Sequence, residues 1–243
     1  MNIKISKKFK SSNFDNRENN PKIKYIIIHY TETDSLLEAI EILCSPKRKV
    51  SCHYVLDKDG SIYNLVNDSK RAWHAGVSFW KKIKNLNNSS IGIEVVNKGE
   101  LKKEEYTKPQ IESLISLLKF LKKKHQIKKE NFLGHSDVAP SRKIDPGVFF
   151  PWKKLSDSSL GNWFEVEGSN KNFYQELNGN DFLIFIKNLR KIGYSEVKNS
   201  QSFKKNQKII NSFHRHHLPK LLNKKPTYLS LLKTNGLLDL TKN

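Results

Sequence analysis

The sequence feature that most limits the fold is a short run of bulky apolar residues, Tyr25-Ile26-Ile27-Ile28. Because strand side chains alternate between the two faces of a sheet, an apolar run without polar interruption predicts a strand that is buried on both faces. His29 follows this run directly, at the carboxyl end of the strand, where open α/β sheets place their ligands. The run therefore predicts a covered sheet with a functional histidine at its edge.

Strand and helix patterns alternate along the chain after this strand. Strand patterns cover residues 52–57, 61–66, 91–96 and 131–133, and helical apolar spacing covers residues 36–43 and 111–121. The turn sequence 58–60 (KDG) predicts that the first two of these strands form a hairpin. Thr107 and Gln110 have the spacing of a capping box, and Thr33 or Asp34 is the predicted N-cap of the earlier helix. This alternation predicts an α/β fold.

The two ends of the chain have different patterns. Residues 1–20 are polar and lack periodicity, which predicts a flexible tail. Residues 153–171 are irregular and are interpreted as a linker. Beyond them, three stretches with helical apolar spacing predict a small all-α domain of three helices. The predicted division is therefore a tail over 1–20, an α/β domain over 21–165 and a helical domain over 172–243.

The composition limits the protein's partners and compartment. The formal net charge of +20 favours attraction to polyanions. No cluster of arginines with stacking aromatics stands out, so nucleic-acid binding is not expected. No apolar run reaches the roughly 18–20 residues that a membrane-spanning helix needs. The start of the chain lacks the apolar core of a signal peptide, and the two cysteines show no disulfide framework, so we expect the cytoplasm. A different true start or non-classical export would instead place the protein in the periplasm or cell envelope.

Two groups of reactive side chains have simpler explanations than a functional site. Cys52 and His53 are neighbours, but adjacent strand residues point to opposite faces, which disfavours a thiol–imidazole pair. His214 and His217 share a helical face without a nearby carboxylate or thiol, so a basic helix end is favoured over a metal site there.

The Gly/Pro-rich stretch 134–152 contains His135, Lys143 and Asp145 in a segment that can be neither a regular helix nor a central strand. Together with His29 it offers two imidazoles and a carboxylate, a donor set that suits a catalytic zinc ion. Asp137 is an alternative third ligand. Asp145 is preferred because its Pro/Gly-braced turn can direct it toward the ion, whereas Asp137 would have to bend back beside His135.

Glu94 is a carboxylate on an otherwise apolar strand, and Gly92 on the same face leaves space beside it. A buried carboxylate is costly unless it is paired or functional. One explanation is an ion pair with a nearby lysine; the other is a general base for metal-assisted amide hydrolysis. Lys143, two residues before a candidate ligand, is then placed to stabilise the developing oxyanion.

Five sequence blocks carry a family resemblance: YIIIHYTET, SCHYVLDKDGSIYNLV, RAWHAG, SSIGIEVVN and GHSDVAPSRKIDPGVFFPW. In this order, over roughly residues 22–165, they resemble the zinc-dependent N-acetylmuramoyl-L-alanine amidases of the type-2, peptidoglycan-recognition-like family. The resemblance implies a central mixed β-sheet flanked by helices. It also implies zinc ligands His29, His135 and Asp145, the catalytic carboxylate Glu94 and the transition-state helper Lys143.

The implied activity is cleavage of the amide between the lactyl group of N-acetylmuramic acid and L-alanine, in peptidoglycan or muropeptides. His74 in the WHAG block is the implied substrate-contacting histidine, and Trp73, Ala75 and Arg142 are further candidates for substrate binding. The segments LRKIGY and SFHRHH are similar to the C-terminal peptidoglycan-binding domain of two-domain amidases that act on cell wall and anhydromuropeptides. The alternative function is a muropeptide-binding module of the same fold without catalysis.

Overall fold

Strands and helices alternate along the chain, as the sequence patterns predict. The computed structural model describes residues 3–168 and 170–242. The elements of this part of the chain are, in order, β1 (Phe14–Asn16), β2 (Tyr25–Tyr30), α1 (Leu36–Cys44), β3 (Tyr54–Leu56), β4 (Ile62–Asn64), β5 (Lys70–Ala72), β6 (Phe79–Trp80), β7 (Ile83–Lys84), β8 (Ser90–Val95), α2 (Lys108–His125), β9 (Phe132–Gly134), α3 (His135–Val138), α4 (Trp152–Ser156), α5 (Gly179–Ile192), α6 (Phe203–His217) and α7 (Tyr228–Asp239). None of these helices is long and apolar enough to span a bilayer.

The central sheet has five strands in the order β4-β3-β8-β2-β9. Strands β3, β8, β2 and β9 run parallel, and only the hairpin partner β4 is antiparallel, so the predicted mixed sheet is confirmed. In the register of β2 and β8, His29 lies opposite Glu94. Strand β9 places Gly134 beside Ile28. The carboxyl ends of three neighbouring parallel strands therefore meet at one edge of the sheet, which positions the residues that follow them.

Helices cover both faces of this sheet, as the apolar run at β2 requires. On one face, the apolar side chains of β2 and β8, such as Ile26 and Ile91, pack against buried leucines of α2. This helix begins with the predicted capping box of Thr107 and Gln110. On the other face, Ile27 shares a continuous apolar cluster with residues of α5, α6 and α7. All six residues of β2 are consequently buried.

The N-cap of helix α1 is neither of the two residues that the sequence predicts. Its N-cap is Ser35, whose hydroxyl accepts a hydrogen bond from the Glu38 backbone N–H at 3.3 Å. The Thr33 hydroxyl instead donates to the Thr31 hydroxyl at 2.7 Å, and the Asp34 carboxylate pairs with Lys98. The prediction of Thr33 or Asp34 as the N-cap was therefore wrong, because three consecutive candidates could cap this helix and the side chains of the other two have other partners.

The predicted flexible tail over residues 1–20 is wrong for residues 3–20, which pack against the α/β domain. Strand β1 pairs with β5, and Ser11 and Asn13 are buried. The Ser11 hydroxyl donates to the Leu43 carbonyl at 2.6 Å, and the Arg17 guanidinium donates to four backbone carbonyls of other segments. Such contacts use polar side chains to satisfy loop carbonyls, so they leave no apolar periodicity in the sequence. Met1 and Asn2 lie outside the described residues.

The stretch interpreted as a linker, 153–171, is also packed where the structure describes it. Helix α4 occupies its start, and Leu155 and Leu160 are fully buried in the cluster around α2. The Lys233 ammonium of α7 lies 3.7 Å from the centre of the Trp163 ring. The segment is therefore a structured connection, and its aromatic residues bind it to the helices that follow. Ser169 lies outside the described residues.

The three predicted C-terminal helices are present as α5, α6 and α7. Their apolar core is continuous with one face of the central sheet rather than closed on itself. The predicted domain division near residues 165–172 stays a prediction. His214, His216 and His217 lie in the last turn of α6, as the interpretation of a basic helix end expects, and all three are buried. The charge pattern did not reveal this, because the histidines are covered by Trp152, Trp163 and other long-range neighbours.

Candidate functional site

Three buried side chains, His29, His135 and Asp145, converge at the edge of the sheet where β2 and β9 end. The Nδ1 atoms of the two histidines lie 3.0 Å apart. One oxygen of Asp145, Oδ2, lies 2.9 Å from His29 Nδ1 and 3.1 Å from His135 Nδ1. In the part of the chain that the structure describes, these three residues are the one cluster of such side chains that could hold a metal ion. The structure therefore brings together the three residues that the sequence predicts as ligands.

Local structure explains why these residues meet. His29 is the fifth of the six residues of β2, and His135 is the first residue of α3, directly after β9. Asp145 follows in the irregular loop, and the Ser136 backbone N–H donates to its carbonyl at 2.9 Å. This backbone hydrogen bond returns the loop to the start of α3, so that the Asp145 carboxylate faces both imidazoles.

A chain of hydrogen bonds determines which ring nitrogen of His29 faces the cluster. The Ser90 hydroxyl donates to the Leu86 carbonyl at 2.6 Å, so its oxygen can accept from His74 Nε2 at 3.2 Å. His74 Nδ1 then accepts from His29 Nε2 at 3.1 Å. The lone pair of His29 is thus left on Nδ1, toward His135 and Asp145. Such support of a ligand's second nitrogen is typical of metal-binding histidines.

His135 is oriented in the same way by a backbone carbonyl. Its Nε2 lies 3.1 Å from the Ala75 carbonyl oxygen, which can only accept, so the proton is on Nε2 and the lone pair on Nδ1. The Arg142 guanidinium also donates to the Ala75 carbonyl, and to the Val77 carbonyl at 2.6 Å. The loop that contains Ala75 therefore orients the candidate ligand His135. Arg142 in turn holds this loop, and it belongs to the ligand-bearing segment, residues 134–152, which contains His135 and Asp145.

The electrostatics of the cluster favour a neutral His29 beside an ionised Asp145. Burial, followed by the neighbouring His135, lowers the pKa of His29 to about 4. Burial alone would raise the pKa of Asp145, but the two adjacent histidines outweigh it and lower the pKa below its usual range. Neutral histidine and ionised aspartate are the protonation states that metal coordination requires. The donor set therefore fits a divalent metal ion.

Glu94 lies on the neighbouring strand and is 8% exposed. Its Oε2 atom has no hydrogen-bond partner among the described residues, and the carboxylate forms no salt bridge with them. Burial first, and then the charge of Asp145, raises the pKa of Glu94 well above its ordinary value, and Lys143 only partly opposes this shift. The ion pair that could have explained this carboxylate is therefore absent among the described residues. The other explanation, a general base, stays a prediction.

A cavity of about 180 Å³ joins these residues into one site. Its walls include the three candidate ligands, Glu94, Lys143, His74 and Tyr30. Lys143 is half-buried, so its ammonium can reach the cavity while it stays partly hydrated. The sequence prediction that Glu94 and Lys143 act beside the metal ligands is consistent with this geometry, and their catalytic roles stay a prediction.

Asp137, the alternative third ligand, is engaged elsewhere. Its carboxylate accepts hydrogen bonds from the Gly134 backbone N–H at 2.8 Å and from the Tyr194 hydroxyl at 2.7 Å. His216 Nδ1 lies 2.7 Å from the same carboxylate. These three partners occupy the Asp137 carboxylate, and the cluster contains Asp145 and not Asp137.

The four predicted substrate-binding residues have different surroundings. His74 lines the cavity, but protein groups contact both of its ring nitrogens. Trp73 is half-buried and is held through its backbone by Ser51. The side chain of Ala75 is fully buried, and Arg142 contacts backbone carbonyls. Substrate contact by these residues stays a prediction.

The Cys52–His53 pair does not form. The Cys52 thiol donates to the Tyr54 carbonyl at 3.2 Å, whereas His53 Nδ1 accepts from the Gly92 backbone N–H at 3.0 Å. The two side chains have different partners, and both residues precede β3, which begins at Tyr54.

The sequence reasoning missed two residues of this site, Ser90 and Tyr30. Ser90 belongs to the same strand face as Gly92 and Glu94, so two-residue alternation along β8 could have identified it. Tyr30 follows His29 directly and lines the cavity. No pattern singles it out, because a tyrosine at a strand end is common in a folded core.

Comparisons with known proteins place the chain in a family. Residues 19–148 match the family described as N-acetylmuramoyl-L-alanine amidase. The chain is 35% identical over 224 residues to N-acetylmuramoyl-L-alanine amidase AmiD of Escherichia coli. The matched residues make up 84% of this chain and 78% of that protein. It is 31% identical to 1,6-anhydro-N-acetylmuramyl-L-alanine amidase AmpD of Haemophilus influenzae, over 63% of this chain and 91% of that protein.

Solved structures resemble the chain over nearly its whole length. E. coli AmiD, in complex with anhydro-N-acetylmuramic acid-L-Ala-D-gamma-Glu-L-Lys, has a TM-score of 0.82 at 30% identity and covers 92% of this chain and 91% of that one. AmpDh3 of Pseudomonas aeruginosa, in complex with an anhydromuramic pentapeptide, has a TM-score of 0.79 at 25% identity and covers 92% of this chain and 94% of that one. The chain belongs to the N-acetylmuramoyl-L-alanine amidase family.

Proposed function

We propose that this protein is a zinc-dependent amidase that hydrolyses the amide bond between N-acetylmuramic acid, or its anhydro form, and L-alanine. The observation that carries the proposal is one cavity that contains His29, His135 and Asp145 together with the unpaired carboxylate of Glu94. Family membership supports the reaction, because the relatives are amidases for this bond. The substrate is peptidoglycan or a soluble muropeptide released from it.

His29, His135 and Asp145 would hold the zinc ion, since two imidazoles and one carboxylate match the ligand sets of catalytic zinc. When bound, the ion supplies Lewis-acid polarisation of the scissile carbonyl. The protein keeps each imidazole in the required tautomer: His74 and Ser90 hold His29, and the Ala75 carbonyl holds His135. These supports let the two lone pairs point at one position.

Glu94 carries the proton transfers. Its carboxylate removes a proton from the attacking water and then donates that proton to the nitrogen of the departing L-alanine. The raised pKa of Glu94 suits both steps, because the group can hold the proton between them. Lys143 lines the same cavity, where its ammonium stabilises the negative charge that develops on the carbonyl oxygen.

A binding module without catalysis is the alternative, and the unpaired Glu94 argues against it. A module that only recognises muropeptides would have no use for a buried carboxylate with a free oxygen, and such a group lowers stability. The helical part, residues 172–243, would contribute peptidoglycan binding in either case; sedimentation with purified sacculi tests that contribution.

The compartment is proposed to be the cytoplasm, where the enzyme would act on recycled wall fragments. Both Cys44 and Cys52 are free thiols, which fits a reducing compartment. Cell fractionation with an antibody against the protein tests this, and recovery in the envelope fraction would contradict it.

Mass spectrometry of the reaction products tests the proposed function. Purified enzyme is incubated with intact sacculi and, separately, with soluble anhydromuropeptides, each with and without a chelator. We expect free peptides that begin with L-alanine, no release with chelator, and recovery when zinc is added back.

The matched variant is Glu94→Gln, which keeps the side-chain size and removes the base. We expect turnover to fall by about 10²–10⁴-fold, the usual contribution of general acid–base catalysis, while zinc content is unchanged. Peptide release that survives chelation, or full activity in Glu94→Gln, would contradict the mechanism. Tight muropeptide binding without any cleavage would favour the binding module.

A further inference from the structure

The C-terminal helices contact the ligand-bearing segment through a buried carboxylate, Asp137, which is 1% exposed. Asp137 lies in α3, two residues after His135. The Tyr194 hydroxyl donates to Oδ1 at 2.7 Å, and His216 Nδ1 lies 2.7 Å from Oδ2, which also accepts from the Gly134 backbone N–H. A carboxylate with three short partners is held in one position. Two of these partners come from the C-terminal part of the chain.

A second contact fixes the backbone between the two ligands. The Ser212 hydroxyl of α6 donates to the Ser136 carbonyl at 2.6 Å. The N–H of the same residue, Ser136, donates to the Asp145 carbonyl at 2.9 Å. Ser136 therefore connects α6 on one side with the segment that bears Asp145 on the other.

A third contact reaches the loop just beyond Asp145. The Arg215 guanidinium of α6 donates to the Glu100 carboxylate at 2.9 Å, and both side chains are largely buried. The same Glu100 carboxylate accepts from the Val148 backbone N–H at 3.0 Å. Glu100 thus joins α6 to the loop three residues after Asp145.

The side chains of α6 that make these contacts lie along one stripe of the helix. Ser212, Arg215 and His216 have the spacing i, i+3, i+4 that places them on one helical face. Lys208, four residues before Ser212, extends the stripe and donates to the Ser141 carbonyl at 2.8 Å. The His216 ring also stacks on Trp152 at 3.8 Å, so its orientation is constrained on two sides.

We propose that this stripe of α6, together with Tyr194, positions the metal ligands His135 and Asp145. The helical part of the chain is then a structural component of the metal centre, and not only an attachment to the cell wall. Asp137 and Glu100 are positioning residues, which act on the ligands through their neighbours. The inference rests on the proposed metal centre and does not depend on which muropeptide is cleaved.

Metal affinity in two Tyr→Phe variants of the full-length protein tests this inference. Tyr194→Phe removes the hydroxyl that donates to Asp137. The matched control is Tyr228→Phe, which removes a hydroxyl that donates to Asp181 at 2.7 Å within the helical part, away from the ligands. Zinc dissociation constants are measured by chelator competition, and the absorption spectrum of the cobalt-substituted protein reports the ligand geometry.

We expect Tyr194→Phe to weaken zinc binding, and Tyr194→Phe combined with His216→Phe to weaken it by about 10–100-fold, the usual effect of losing outer partners of a metal site. We expect a changed cobalt spectrum and a lower kcat with little change in KM. Tyr228→Phe should match the unsubstituted protein in all three measurements. Because the double variant could unfold, Ser212→Ala is the milder second variant, expected to shift zinc affinity and the cobalt spectrum in the same direction.

Unchanged zinc affinity and an unchanged cobalt spectrum in folded Tyr194→Phe/His216→Phe would overturn the inference. So would an equal loss of affinity in Tyr228→Phe, because that result would show a general loss of stability. Failure of the unsubstituted protein to bind zinc would instead overturn the proposed metal centre itself. The two failures are therefore distinguishable.

Discussion

Glu94 shows at the scale of a single residue how function opposes stability. Its carboxyl group is buried beside Asp145, and one of its oxygens has no partner among the described residues. Burial disfavours the charged form, so in the metal-free protein the ionised carboxylate lowers the stability of the fold. A residue chosen only for stability at this position would be uncharged.

The metal-free Glu94→Gln protein should therefore be more stable than its parent at neutral and alkaline pH. Unfolded Glu94 loses its proton at a lower pH than folded Glu94, so above the ordinary glutamate pKa the unfolded state binds fewer protons and the parent loses stability as the pH rises. We expect Glu94→Gln to raise the melting temperature by a few degrees at about pH 8, given about 2–4 °C per kcal/mol in a chain of this size. The difference should vanish near pH 4. Differential scanning calorimetry of both proteins at the two pH values measures it.

Glu41→Gln is the control, because Glu41 is an exposed carboxylate on α1. It should show no comparable pH-dependent gain. A gain for Glu94→Gln that is equal at both pH values would show that the carboxylate is not destabilised by burial.

At the scale of an element, strand β8 builds the site by alternation. Ser90, Gly92 and Glu94 share one face, while Ile91 and Ile93 pack on the side of α2. The sequence suggested open space beside Gly92, but the His74 ring fills it: a Cβ atom at Gly92 would lie 2.3 Å from His74 Cγ. The glycine therefore allows His74 to reach His29.

Gly92→Ala should displace His74 and remove the partner of His29 Nε2. We expect zinc affinity and turnover to fall by about 10–100-fold, as for other losses of a ligand's outer partner. Ile93→Val, on the opposite face, is the control and should lower stability by about 0.5–1.5 kcal/mol without weakening zinc binding. Zinc titration and urea unfolding of both variants separate the two effects. Normal zinc binding by Gly92→Ala would show that His74 does not support the site.

At the scale of the whole molecule, segments from both ends of the chain complete the α/β domain. The C-terminal helices cover one face of the sheet. Residues 3–20 pack against the α/β domain, where β1 pairs with β5. Arg17 is the main contact of this first segment, because its guanidinium donates to the carbonyls of Asp68, Asn87, Asn88 and Ser90 at 2.8–3.0 Å. Burial lowers the pKa of this guanidinium to about 10, but the group stays charged at neutral pH.

Arg17→Met keeps the length of the side chain and removes its donors, which leaves buried carbonyls without partners. We expect the free energy of unfolding to fall by at least ~3 kcal/mol, given ~1–3 kcal/mol for each buried group that loses its hydrogen bond. Urea unfolding measures the loss, with exposed Lys10→Met as the control. A change of less than about 0.5 kcal/mol would restore the interpretation of residues 1–20 as a tail.

Much of the fold and site follows from the sequence alone, because local patterns report it. The apolar run before His29 identifies a doubly covered strand, and Thr107 with Gln110 identifies the start of α2. The residue types and motif order also predict five chemical positions, and the structure brings three of them, His29, His135 and Asp145, together. Each of these depends on neighbours in the chain or on the chemistry of one residue type.

Only the tertiary structure decided the features that depend on distant partners. It placed Asp145 in the cluster and Asp137 against Tyr194 and His216, although both aspartates follow His135 closely. It also ordered residues 3–20 and buried the histidines of α6. These contacts join polar groups that lie far apart in the chain, and hydrogen bonds of this kind leave no periodic pattern from which the sequence could have predicted them.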